Sequence, residues 1–166
     1  MDMDPTPECE FVSDDLVVLL DLTMPGDTGS IGRVVNEVMR VVGESGCADG
    51  AEHDIELALR EALANAVRHG TKNDPAKTIT CSVACDPTRG MLIVVRDTGE
   101  GFDPHRIPDC LMGENVYSHH GRGIYLINQL MDEVRFERGG TEIHMVKRLG
   151  SGAPRTSGRA PAPGNG

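Results

Sequence analysis

Residues 78–97 read TITCSVACDPTRGMLIVVRD. The first eight alternate with period two, placing Ile79, Cys81, Val83 and Cys85 on one face, whereas MLIVV at 91–95 is apolar on both faces. Between them Asp86-Pro-Thr-Arg-Gly90 offers turn chemistry and no room for a helix, so the spacing predicts neighbouring antiparallel strands. Upstream, LVVLLDLT at 16–23 reads as another strand. From Ser30 to Val42, Ile31, Val34, Val35, Val38, Val41 and Val42 recur at helical spacing, with Thr28 or Ser30 as cap and Gly43 as stop. Asp49 and Glu52 have the spacing of a capping box opening a second helix, which carries Ile55, Leu59, Ala62, Leu63, Ala66 and Val67 and ends at Gly70. Downstream, a helical stripe of Ile124, Ile127, Leu130 and Met131 begins at 123, and VRFE, RGG and TEIHMVKRL read as a closing hairpin. Strands bunched in this way predict an α+β fold: a two-layer α/β sandwich with a mixed, mostly antiparallel sheet and helices on one face.

At roughly 150 residues per domain, the 166 residues accommodate one domain, assigned to residues 16–149. Residues 1–15 hold six acidic groups and no basic one and are expected to be a flexible acidic arm. Residues 150–166, with five Gly and three Pro and nothing apolar larger than Ala, are expected to be a disordered tail. Of the formal charge of −10, the arm contributes −6 and the tail +2, leaving −6 for the domain, which disfavours a broad nucleic-acid or anionic-membrane surface. The longest apolar runs are five residues, far short of the roughly 20 that span a bilayer. The N-terminus lacks the features of a secretory signal, so a cytoplasmic location is expected. Five cysteines without a C-x-x-C pair predict reduced thiols, with Cys81 and Cys85 as small buried hydrophobes.

P-loop, dinucleotide-fingerprint, H-E-x-x-H and G-x-S-x-G patterns are all missing from the sequence. His105, Cys110, His119 and His120 share one polar segment but show no ligand spacing. Three clusters remain. Glu61-Ala-Leu-Ala-Asn65-Ala-Val-Arg68-His69-Gly70 stacks a carboxylate and an amide on one helix face at i, i+4. Asp97-Thr-Gly99-Glu-Gly101 follows a strand with an acceptor carboxylate and two positions where backbone can approach a flat ligand. Gly121-Arg122-Gly123 opens a helix, where free N–H groups favour a phosphate. Taken singly, each is as readily a solvated helix face, a turn or a flexible helix entry. Residues 98–122 between the last two are long for a connection and are expected to form a lid over 102–120.

In this order the clusters resemble the ATP-binding boxes of the fold shared by gyrase, mismatch-repair proteins, heat-shock chaperones and sensor histidine kinases, the Bergerat or histidine-kinase-like ATPase fold. Within it, EALANAVRHG, DTGEGFDP, GRGIYLINQLMDEV and GGTEIHMVK are most similar to the stand-alone anti-sigma factor serine/threonine kinases of bacteria. The resemblance implies that Asn65 coordinates Mg²⁺ and that Glu61 accepts the proton of an incoming hydroxyl. It implies that Asp97 binds the adenine amino group, with Thr141 sharing a water, that Gly99 and Gly101 line the base, and that Gly121 and Gly123 wrap the ATP phosphates. Arg122, Arg106 and Arg68 are candidates to neutralise γ-phosphate charge. It further implies a homodimer, with the exposed surface of the first helix as the expected interface, that phosphorylates a STAS-type anti-anti-sigma protein and alternately sequesters a sigma factor. Two other readings fit the same residues: a nucleotide-binding module that sequesters a partner without kinase turnover, and the ATPase half of a partner-switching system without a sigma factor.

Overall fold

The computed structural model of the chain describes residues 15–48, 50–100 and 119–150. Five strands, β1 (Val17–Pro25), β2 (Thr78–Asp86), β3 (Gly90–Asp97), β4 (Glu133–Glu137) and β5 (Glu142–Arg148), form one sheet in the order β1-β2-β3-β5-β4. Every pairing among them is antiparallel, so the parallel component anticipated for a mixed sheet does not occur among the described residues. Three helices, α1 (Ile31–Ser45), α2 (Glu52–Asn65) and α3 (His119–Leu130), complete an α+β sandwich.

Alternation along the strands decides which sheet face carries the core. Ile79, Cys81, Val83 and Cys85 of β2, Met91, Ile93 and Val95 of β3, and Ile143 and Met145 of β5 join Val34, Val35 and Val38 of α1, Ile55, Leu59 and Leu63 of α2, and Ile127 of α3 in one buried cluster. The doubly apolar run of β3 is explained by the opposite face, where Leu92 joins a small second cluster with Ala84 and Val146, against which Leu16 and Val94 pack. Lys147, only 7% exposed, turns toward the helices. Its ammonium donates to the Leu130 carbonyl at the end of α3 (2.6 Å) and lies 3.5 Å from Asp54 in the first turn of α2. One cation thereby neutralises a helix C-terminus and ties two helices to β5.

Several local expectations are corrected. Helix α1 runs through Gly43 and stops at Gly46, whose φ of 70° is the left-handed conformation that favours glycine at a helix end. Ser30 stands at the N-cap of α1, as expected, but its side chain makes no cap bond to the helix; its N–H and hydroxyl instead donate to the Asp27 carboxylate at 3.0 Å and 2.7 Å. Helix α2 begins at Glu52 behind Ala51, which has no side chain to cap it, while Asp49 of the expected capping box lies outside the described residues. Gly70 does not stop the second helix: after Asn65 the chain widens into a π turn, Ala66–Thr71, and turns away at Lys72 (φ 53°). Helix α3 starts at His119, four residues before the expected 123. Finally, the cysteines are not all free. Cys47, in the loop after α1, is disulfide-bonded to Cys85 on β2, with the Cα atoms 6.2 Å apart. Cys81 does behave as a buried hydrophobe; burial, aided by the Asp21 carboxylate, pushes its thiol pKa up to about 12.

Among the described residues no helix is long and apolar enough to cross a membrane, and no group of three or more His, Cys, Asp or Glu is arranged to hold a metal. The expected lid falls largely on residues 101–118, which lie outside the described residues, as do Gly101 and Arg106.

Candidate functional site

A cleft opens between α2, the start of α3 and the ends of β3 and β5. Its walls are Ala62, Asn65, Ala66, His69 and Gly70 from α2 and the π turn, Val95 and Asp97 from β3, Ile124 from α3, and Phe136, Gly140, Thr141 and Ile143 from the closing hairpin. The composition suits a flat, largely apolar ligand anchored by a few polar groups.

At one end, Glu61 and Asn65 share a face of α2 because they are one turn apart. Gly123 of α3 sits directly against them: a Cβ built there would lie 3.0 Å from both Asn65 Nδ2 and Glu61 Oε2, and 3.3 Å from Asn65 Oδ1. A side chain at position 123 would require this pair to give way by a few tenths of an ångström. Asn65 Oδ1 is buried without any hydrogen-bond partner. An orphaned amide oxygen costs about 1–3 kcal/mol, and a hard cation that takes oxygen ligands would satisfy it. The residues present thus fit a Mg²⁺ ion held by Asn65, with Glu61 one helical turn before it.

At the other end, Asp97 closes β3. Its N–H donates to the Thr141 carbonyl (2.8 Å), which brings Thr141 beside it, and its Oδ1 accepts from the Gly99 N–H at 2.7 Å. Burial raises the Asp97 carboxyl above its ordinary pKa, against the lowering effects of the Gly99 N–H and the Lys77 ammonium. Gly70 packs on that carboxylate and Gly99 packs on Gly70, each so closely that a Cβ would overlap its neighbour.

Asn65, Asp97 and Thr141 thus line one cleft, whereas Glu61 and Gly123 stand beside Asn65 and Gly99 packs on Gly70 without themselves lining it. Arg122 and Arg68 are exposed on α3 and the π turn, and neither lines the cleft. Gly121 falls within α3. In the sequence Gly70 reads as a helix stop, and Phe136, Ile124 and Ala62 read as ordinary strand and helix packing positions. The Ala62/Ala66 pair, small residues flanking Asn65 at i, i+4, was the available signal for a helix face kept low beneath a ligand.

An antiparallel sheet with helices on one face and a cleft between a Glu/Asn helix and a strand-end aspartate has the architecture of the histidine kinase-like ATPases. The chain belongs to that family: the histidine kinase-like ATPase domain matches residues 24–147. It is 28% identical over 140 residues to the serine-protein kinase RsbW of Bacillus licheniformis, covering 78% of this chain and 85% of the relative. It is 27% identical over 147 residues to RsbW of Staphylococcus epidermidis, covering 84% and 92%. Its fold is similar to a crystal structure of the RsbU and RsbW domains of a Mycobacterium tuberculosis protein (TM-score 0.52, 16% identity), covering 78% of this chain and 31% of that longer one.

Proposed function

We propose that this chain is an anti-sigma factor that binds Mg-ATP, phosphorylates a serine or threonine of a STAS-type anti-anti-sigma protein, and holds a sigma factor when that partner is phosphorylated, acting as a homodimer. The observation that carries the enzymatic part is the buried, partnerless Asn65 Oδ1 beside Glu61 and Gly123. A protein that only retained nucleotide would need the amide but not the carboxylate one turn before it.

In this reading Asp97 accepts a hydrogen bond from the adenine amino group, Val95, Ile124 and Ile143 pack on the base, and the start of α3 at Gly121 and Gly123 receives the phosphates. Asn65 holds Mg²⁺, which neutralises phosphate charge when bound. Glu61 takes the proton of the incoming hydroxyl as its oxygen attacks the γ-phosphorus and the bond to the β-phosphate oxygen breaks. Phosphoryl transfer depends mainly on positioning and charge stabilisation, so these parts are sufficient. Incubation with labelled ATP, Mg²⁺ and STAS-type proteins tests the proposal. Label on a serine or threonine of one of them is expected. Nucleotide binding without label on any of them would instead favour sequestration without turnover.

A further inference from the structure

Gly70 lies within the π turn that continues the helix of Glu61 and Asn65, and it packs against the carboxylate of Asp97. Its φ is outside the left-handed region, so the backbone does not require glycine there. Space does. A Cβ at Gly70 would overlap the carboxyl carbon of Asp97 and fall 2.6 Å from each of its oxygens. Gly99 closes the stack: a Cβ there would overlap the Gly70 carbonyl oxygen and fall 2.7 Å from its carbonyl carbon. The π turn that presents Gly70 is itself anchored, since the buried Thr71 hydroxyl donates to the Gly26 carbonyl at 2.7 Å, and π turns inserted in helices recur at functional sites. The Asp97 carboxylate therefore sits on a floor of bare backbone, with Oδ1 held by the Gly99 N–H. A methyl group on that floor must displace the carboxylate or the turn.

Building on the nucleotide reading above, we infer that Gly70 is a positioning residue that sets base specificity: by its lack of a side chain it fixes the depth of the Asp97 carboxylate, and so the preference of the cleft for a purine carrying a 6-amino donor over one with a 6-oxo group. A hydrogen-bond acceptor is discriminating only when it cannot retreat from a ligand that lacks the matching donor.

The test uses Gly70→Ala, Asp97→Ala and the double variant in the full chain, followed by thermal melting and by calorimetric titration with ADP and IDP. Gly70→Ala is expected to lower Tm, and the loss is expected to vanish in the Asp97→Ala background, where the space is vacated. Gly70→Ala should weaken ADP binding by roughly tenfold or more while IDP binding changes by less than about threefold. The double variant should bind ADP no worse than Asp97→Ala alone. Equal losses of ADP and IDP affinity, or a Tm loss of the same size in the Asp97→Ala background, would overturn the inference. If Gly70→Ala does not fold, the double variant decides: a melt matching Asp97→Ala supports the steric assignment and an unfolded double variant overturns it. A wild-type chain that binds no ADP removes the nucleotide reading and the specificity role with it, whereas ADP binding with an unchanged ADP/IDP ratio in Gly70→Ala removes only the role of Gly70.

Discussion

Burial in the cleft raises the Asp97 carboxyl above its ordinary value of 3.8, so the folded chain holds that proton more tightly than the unfolded chain does. Where the folded state binds more protons, stability falls as pH rises. The decline runs from about the ordinary value through the raised folded value, and above it the ionised carboxylate remains a constant cost. Asp97→Asn, which cannot ionise, should therefore melt at or above the wild-type temperature at neutral pH, with the gap closing as pH falls into the carboxylate range. Its ADP affinity should nonetheless fall roughly tenfold or more, since a mismatched buried polar contact costs about 1–3 kcal/mol. Melting at two pH values and calorimetry check both; a less stable Asp97→Asn at neutral pH would contradict the first. Glu61 stands in a different relation to the ligand. Glu61→Gln keeps shape and hydrogen bonding but cannot take a proton, so phosphorylation of a cognate partner should slow by on the order of 10² to 10⁴, while ATP affinity moves less than about threefold. Unchanged phosphorylation would remove the base assignment. The pairing of Glu61 with Asn65 was legible in the sequence because a helical repeat is a local property, four residues apart on one face.

Between Asn65 and β2 the controlling element is the π turn Ala66–Thr71, and its fastening is the wholly buried Thr71 hydroxyl, shared between the Gly26 carbonyl (2.7 Å) and the Val67 carbonyl (3.3 Å). Thr71→Val preserves the volume and removes the donor. The stranded Gly26 carbonyl should cost about 1–3 kcal/mol, read as a lower midpoint in urea at unchanged slope, and ADP binding should weaken alongside because Gly70 is the neighbouring residue. A midpoint equal to wild type would show that the hydroxyl does not hold the turn. The widening of the helix was not legible: EALANAVRHG is compatible with an ordinary α-helix to its end, and the π geometry depends on contacts with Gly26 and Asp97 that lie far away in the chain. The stop of α1 is not legible either, for a related reason. Gly43 and Gly46 are equivalent as letters, and only the φ of 70° at Gly46 distinguishes a terminator from a tolerated helix glycine.

Across the whole molecule, the Cys47–Cys85 disulfide joins residues 38 apart and encloses all of α2 and the π turn. Closing a loop of that length restricts the unfolded chain and typically stabilises by about 2–4 kcal/mol. Cys47→Ala should lower Tm and abolish the further drop that a reductant produces in wild type; a wild-type melt insensitive to reductant would refute the cross-link. In the same experiment Cys81, buried and with its thiol pKa near 12, should resist alkylation until the chain unfolds, because the thiolate is the reactive form.

Period two, period 3.6 and turn chemistry are written in adjacent residues, so the elements, their order and the one-turn spacing of Glu61 and Asn65 are readable along the chain. Folding places β5 between β3 and β4, which delivers Thr141 to Asp97. It alone brings Gly123 to the Glu61/Asn65 face, Gly70 beneath Asp97, and Cys47 to Cys85. Each of these joins residues distant in the chain, and their meeting is set by strand pairing and by how closely backbones without side chains can approach, neither of which a local repeat encodes.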